Sequence, residues 1–407
     1  MRELVHHIKP SVHMMKRICV LSTLYPPIIK GGAEISTHLV VNELSARYKV
    51  KVISVNLLDE KVVEHGQDVE ITRVACRNNG LYEHRPTDVR GKIVSRLRDF
   101  LDSRRHREVA AEIKHFKPDL VWLNNLNLLA PRIGTYLRDT NVKIVQTVRD
   151  YRPFCDRMMV KDGLHCPSQC LRCKLAKFRI KQNYNLYDST VGISDYVGNI
   201  LLSSGYTQQN RYQTIYNPVA DLSKEMGTTK KKAKFTVGFI GSLTTNKGIE
   251  LLLKLAAHLP DIDFKLASQL NTEAAKRVLK GATQNVEFLG FMKPRDFFNR
   301  IHCLLVPSKW EEPFGRVAAE GLSAKIPVFV SDRGGLPEIV ENEVSGEVHP
   351  SEDLSSWIDG INRLQAEPER VAFYIENGYQ RYKDKFALEQ VSAQYENLFE
   401  RILTTAN

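Results

Sequence analysis

Long hydrophobic runs are missing from this chain. No apolar stretch approaches the roughly 18 residues that a bilayer-crossing helix needs, so a helical membrane protein is not expected. The opening MRELVHHIKPSVHMMKR has no apolar core, which argues against a secretory signal, and Met15 directly precedes the first strand-like run. Two common phosphate-binding glycine patterns are missing as well. There is no GxGxxG, and GSLTTNKGIELL at Gly241–Leu252 fails the Walker order. Asp261-Ile262-Asp263 is an Asp-x-Asp without supporting context and reads as a turn. No nucleic-acid recognition motif is present, so nucleic acid is not an expected partner.

What is there fits an ordinary globular protein. The 407 residues allow two full domains, with 43% hydrophobic and 26% charged residues. The net charge of +11 is uneven. Residues 1–220 hold 34 Lys/Arg against 21 Asp/Glu (+13), and residues 221–407 hold 24 against 26 (−2). A basic half fits an anionic membrane surface or an acceptor carried on a lipid phosphate. Its densest part is Arg90–Lys117, where Ile93, Leu97, Phe100 and Leu101 fall at helical spacing. That segment reads either as a docked helix with a solvated basic face or as a membrane contact.

Alternating strand and helix patterns predict two doubly wound parallel sheets. The strands expected first are 17–22, 50–56, 71–74, 119–124, 143–148, 187–193 and 212–216. After a charged, apolar-poor linker come 235–240, 263–267, 285–289, 302–306 and 326–330. The expected organisation is an N-terminal extension (1–15), a first Rossmann-like domain (16–217), a linker (218–234) and a second Rossmann-like domain (235–386). A final helix (387–407) follows.

The stretch Val306–Gly346 organises the rest. It reads VPSKWEEPFGRVAAEGLSAKIPVFVSDRGGLPEIVENEVSG. Two strand–loop–helix units here set their loops at the carboxyl edge of a sheet, where open α/β sheets bind ligands. A helix starting near Phe314–Gly315 points free N–H groups and a positive dipole end at the cleft, which suits a phosphate. Glu312 and Glu320 flank that site. An ionised carboxylate accepts hydrogen bonds from paired hydroxyls; the plainer reading is that both are solvated helix charges.

Glu312, seven residues, then Glu320 inside EPFGRVAAEG, followed by GGLPE at Gly334–Glu338, resembles the retaining glycosyltransferases of family 4 (glycosyl transferases group 1) with the GT-B fold. The resemblance extends more loosely over residues 16–404. It implies an α/β architecture of two Rossmann-like domains facing across a cleft, with the final helix crossing back onto the first. It implies transfer of a sugar from a nucleoside diphosphate to an acceptor hydroxyl, with no cofactor needed for catalysis. By the same resemblance Gly31 and Gly32 let the backbone approach the donor diphosphate. Glu312 holds sugar hydroxyls, Glu320 the ribose hydroxyl pair, and Lys247 the diphosphate, with Pro313, Phe314 and Gly315 lining the donor site. The family pattern Gly-Arg, four residues, Lys-Gly is met by Gly241, Lys247 and Gly248, but Ser242 replaces the arginine. Arg316 either supplies the missing charge or faces solvent. His-Asp is usual at the end of the 143–148 strand; here the pair is Arg149-Asp150, so Arg149 is expected at a sugar hydroxyl or the phosphate.

Four of the seven cysteines crowd into one loop: Cys155, Cys166, Cys170 and Cys173. Thiolates at this spacing could hold a structural Zn²⁺, with His165 as a substitute ligand; free thiols and disulfides are the alternatives. Cys19, Cys76 and Cys303 read as core fillers.

The resulting expectation is a cytoplasmic hexosyltransferase, peripheral at the inner face of the membrane, acting in polysaccharide or lipopolysaccharide synthesis. Its partners would be a nucleotide sugar and a glycan or lipid-linked acceptor. A GT-B phosphorylase or epimerase, or a non-catalytic sugar-nucleotide or glycan-binding protein, are the alternatives.

Overall fold

In a computed structural model of the chain, the residues described are 15–56, 61–65, 69–75, 103–126, 129–155, 158–161, 164–166, 168–225, 234–268, 278 and 280–405. The first half builds strands β1 (Arg17–Leu21), β2 (Lys49–Asn56), β3 (Val62–His65), β4 (Val69–Ala75), β5 (Leu120–Leu123), β6 (Lys143–Val148), the short hairpin β7 (Val160–Lys161) and β8 (Leu164–His165), β9 (Ser189–Gly192) and β10 (Tyr212–Thr214). Among the described residues, eight of them form one sheet in the order β10-β9-β6-β5-β1-β2-β4-β3, parallel throughout except for the antiparallel β3–β4 pair. The second half adds β11 (Thr236–Ile240), β12 (Asp263–Ala267), β13 (Val286–Phe288), β14 (Cys303–Val306), β15 (Val328–Ser331) and β16 (Gly346–His349), in the order β13-β12-β11-β14-β15-β16.

The central strands are apolar runs buried on both faces, as parallel sheets require; Leu120–Leu123 and Val328–Ser331 are buried at every position. The helices that cover them are α1 (Gly32–Ser45), α2 (Ser103–Phe116), α3 (Ile133–Leu137), α4 (Leu171–Tyr184), α5 (Asp195–Ser203), α6 (Ile249–His258), α7 (Pro294–Phe298), α8 (Arg316–Ser323), α9 (Leu336–Ile339), α10 (Leu354–Ala366), α11 (Pro368–Lys385) and α12 (Leu388–Thr404).

Each sheet reverses its winding once. In the first the reversal lies between β1 and β5, in the second between β11 and β14. Loops leave these strand pairs in opposite directions and open a crevice at their carboxyl ends. The last helix returns to the first sheet. Tyr395 and Phe399 of α12 pack on Trp122 of β5, with ring centroids 4.7 and 5.7 Å away. Each such ring, fully buried, contributes about 1.5–3 kcal/mol.

Ile93, Leu97, Phe100 and Leu101 lie outside the described residues. The described remainder of that segment is α2, whose Val109, Ile113 and Phe116 are buried in the core. Helix α4 is not announced by the sequence pattern, and Cys173 belongs to it rather than to a loop. Its apolar residues do not share one face. Ile180 and Tyr184 pack inward while Leu171, Leu175 and Phe178 stand in solvent, so the period is masked.

Candidate functional site

The two reversal points face each other, and the expected site residues collect around them. From the second domain, the loop after β11 meets the loop after β14. The Asn246 carbonyl accepts from the Lys309 and Trp310 backbone N–H groups at 3.0 and 3.1 Å. Gly248 makes this closeness feasible: it sits at φ +78°, and a Cβ there would stand 1.7 Å from the Pro307 carbonyl oxygen. The joined loops bring Lys247 to Glu312, where they form an ion pair through Lys247 Nζ and Glu312 Oε1. Ser308 Oγ donates to the same oxygen at 2.6 Å. Glu312 Oε2 has no hydrogen-bond partner among the described residues and is the oxygen left for a ligand hydroxyl. Trp310 lies under the ammonium, 5.3 Å from ring centroid to Nζ.

Gly315, at φ +101°, starts α8. Only a glycine serves here, because a Cβ would also stand 2.4 Å from Leu336 Cδ2. The positive end of α8 therefore opens beside Lys247 and Glu312, behind Pro313 and Phe314. Arg316 and Glu320 are one turn apart on α8 and pair at 2.8 Å. Burial pushes the Glu320 carboxyl above its ordinary range, and the Arg316 guanidinium opposes that shift. Both line a crevice of about 310 Å³ together with Val219, Ala220, Lys293 and Arg295.

Arg316 does not take the solvent-facing role, one of the two expected for it. Its guanidinium is already engaged. Besides Glu320 it donates to Ser36 Oγ and the Pro218 carbonyl, both at 2.8 Å, and so ties α8 to the first domain. Gly32 accommodates that reach, since a Cβ on Gly32 would lie 2.8 Å from Arg316 Cδ. Gly31 precedes α1 and its N–H donates to Glu34 Oε2 at 2.8 Å, so the end of this helix already holds a carboxylate. Glu34 was not singled out from the sequence, although an acid three residues past a helix start is a capping signal. Gly241 follows β11, and Ser242 is exposed beside it.

Arg149 ends β6 on the first domain's side. Its Nε donates to Asn124 Oδ1 at 2.9 Å and its Nη1 to Asn217 Oδ1. Its Nη2 is buried with no hydrogen-bond partner, and burial lowers the guanidinium pKa. Asp150 accepts from the Arg152 N–H at 2.9 Å and faces the Arg152 guanidinium at 3.2 Å. Desolvation raises its pKa against the pull of Arg152 and Lys177. Neither Asn124 nor Asn217 carries a local motif that would have announced it.

The domains also meet directly. Tyr151 Oη donates to the Glu311 carbonyl at 2.8 Å, and Ser194 Oγ to the Pro313 carbonyl at 2.6 Å. Glu338 of the GGLPE run receives the Asp195 and Tyr196 N–H groups at 2.7 and 2.8 Å. It is therefore an anion cap on α5 of the opposite domain.

In the cysteine cluster, Cys155 and Cys170 both reach the Cys173 thiol. Burial, then these thiols, push Cys173 up to about 12, while bonds from Cys173 lower Cys170. None of Cys155, Cys166, Cys170 and Cys173 is joined in a disulfide among the described residues. Among the described residues no group of three His, Cys, Asp or Glu side chains is placed to hold a metal ion, so no chemistry is derived through one. The His165 side chain lies outside the described residues.

Two reversed parallel sheets with a charged site in the cleft between them define the GT-B architecture. The chain superposes on sucrose-phosphate synthase from Thermosynechococcus elongatus with a TM-score of 0.73 at 19% identity, covering 96% of this chain and 100% of that one. It superposes on Anabaena HepE, solved in complex with UDP and glucose, with a TM-score of 0.64 at 16% identity, covering 95% and 100%. Residues 224–381 match the model for "Glycosyl transferases group 1". A 42.6 kDa protein in the cps region of Klebsiella pneumoniae is 28% identical over 84% of this chain and 92% of its own length. The O-antigen chain mannosyltransferase C of Escherichia coli is 28% identical over 40% of this chain and 46% of its own length. Together these are likenesses to glycosyltransferases, with the group 1 match confined to residues 224–381. No described helix is long and apolar enough to cross a membrane.

Proposed function

We propose that this protein is a retaining family 4 enzyme that moves a hexose-type sugar from a nucleoside diphosphate to an acceptor hydroxyl, without a catalytic metal, in surface polysaccharide or lipopolysaccharide synthesis. The observation that carries the proposal is the pairing of Lys247 with Glu312 beside Arg316–Glu320 at the mouth of α8. Ribose hydroxyls bond to Glu320. The incoming diphosphate competes with Glu312 for Lys247. As Lys247 turns to phosphate, Glu312 keeps Ser308 on one oxygen and offers the other to sugar hydroxyls. Charge then grows on the leaving diphosphate, stabilised by Lys247 and the end of α8, and that phosphate takes the acceptor's proton. Arg149, charged and with one nitrogen unused, faces the sugar side. Relatives named for a cps region and for an O-antigen mannosyltransferase support the glycan class, and the UDP and glucose held by a protein of the same fold support the donor class. We place the enzyme on the cytoplasmic side of the membrane.

The second reading is a non-catalytic sugar-nucleotide or glycan-binding protein. Ser242 in place of the second phosphate cation favours it, as does Glu34 occupying the end of α1. Thermal melts with UDP, GDP, ADP and their sugar conjugates, on wild type and Glu320→Ala, give the first test. A nucleotide at 100 times its Kd adds about 2.7 kcal/mol. The proposal expects one base to stabilise the wild type only, and that donor then to yield product with a lipid-linked acceptor. Binding without turnover would leave the second reading. Structural zinc at Cys155, Cys166, Cys170 and Cys173 is a separate proposal, checked by zinc content before and after Cys173→Ser.

A further inference from the structure

Helix α4 carries an unpartnered face. Leu171, Leu175 and Phe178 are 73%, 71% and 58% exposed, the most concentrated set of large exposed apolar side chains among the described residues. At about 100° per residue they fall within about 60° of one another and form a single crest. Arg172 stands exposed on one flank and Lys174 on the other. By sequence the helix holds five Lys/Arg (Arg172, Lys174, Lys177, Arg179, Lys181) and no Asp or Glu. The opposite face is structural. Ile180 and Tyr184 line the same cavity as Arg149 and Asp150, and Tyr184 packs on Tyr206 with centroids 4.9 Å apart. One helix thus has its back on the acceptor-side wall of the cleft and its apolar crest in solvent.

We propose that this crest docks on an anionic lipid surface. An apolar ridge between basic flanks is the pattern that lies in a headgroup layer, with the rings and branched chains entering and the cations meeting lipid phosphates. Charge decides among the occupants. A second copy would set two such acid-free basic helices against each other. Residues 76–102, outside the described residues, hold six Lys/Arg against four Asp/Glu, so they bring no acidic counter-face. An anionic bilayer complements the crest and the flanks together. The surface would hold the acceptor-side wall of the cleft next to the membrane, and so fits a lipid-linked acceptor. Only that last step rests on the proposed function.

The test is co-sedimentation of the full chain with vesicles of phosphatidylcholine alone or with about one-third phosphatidylglycerol. Binding is expected only to the anionic vesicles and should fall as salt rises from about 0.1 to 0.5 M. Leu175→Ser/Phe178→Ser should weaken it about tenfold or more. Arg172→Glu/Lys174→Glu should weaken it about fivefold for each charge lost. Both variants change exposed side chains and should keep the wild-type Tm and nucleotide-induced shift. No binding by wild type, or unchanged binding in both variants, overturns the inference. So does a dimer in gel filtration that Leu175→Ser/Phe178→Ser dissolves, because the crest would then be a contact between copies. A missing nucleotide shift with intact vesicle binding would sink the enzyme reading and leave the docking surface standing.

Discussion

The two walls of the cleft handle charge differently. The C-terminal wall pairs its charges with one another: Lys247 with Glu312, Arg316 with Glu320, Arg333 with Glu311. The N-terminal wall pairs Asp150 with Arg152 but hands Arg149 and Glu34 to neutral groups and backbone. Arg149 is held by two asparagines, and Glu34 by the Gly31 N–H. The Lys247–Glu312 pair can release its cation to an arriving anion at little cost, because Glu312 keeps the Ser308 hydroxyl as donor. A wall of amide-held charges is a fixed frame. On the proposed function, the difference puts reaction on one wall and positioning on the other.

Changes to each wall should separate these roles. Lys247→Ala removes the cation proposed to follow the diphosphate and should cost about 2.7–4 kcal/mol in transition-state stabilisation. The expected outcome is kcat down by 10²–10³ with Tm nearly unchanged. Asn217→Ala should do the reverse. It strips one acceptor from a buried guanidinium and should cost about 1.5–3 kcal/mol of stability, read by urea unfolding. If Asn217→Ala leaves stability intact, the fixed-frame account of that wall is wrong. Asp150→Asn probes the same wall by pH. Asp150 is raised in the folded protein, so its contribution is full below the ordinary carboxylate range and is lost as pH rises through the folded value. The variant's Tm minus the wild type's should therefore rise from pH 4 upward; a difference that falls as pH rises would reverse the sign. Arg333→Ala should be the mildest. It removes a partly exposed pair of 3.4 Å and should change stability by no more than about 1 kcal/mol.

How much could be read beforehand follows the same division. The C-terminal wall is local except for Lys247, which joins Glu312 across 65 residues: Glu312, Phe314, Gly315 and Glu320 lie within one loop and one helix, so their spacing carries their geometry. Strands β1, β6, β11 and β12 were legible for a like reason, as short apolar runs bounded by turn residues. The N-terminal wall is assembled at a distance. Asn124 and Asn217 lie 25 and 68 residues from Arg149, and nothing near either one signals the contact. Arg316 reaches Ser36 across 280 residues, which is why its two expected roles both missed the bridge. Helix α4 was illegible because its apolar residues are divided between an inner face and a solvent crest.

One titration reaches the central claim, that Lys247 leaves Glu312 for the donor's diphosphate. Nucleoside, nucleoside monophosphate and nucleoside diphosphate of the base found in the melts would be titrated calorimetrically into wild type and Lys247→Met. The account predicts equal nucleoside affinity in both proteins and a diphosphate advantage in the wild type that the variant loses. Lys247→Met binding the diphosphate as tightly as wild type would contradict it.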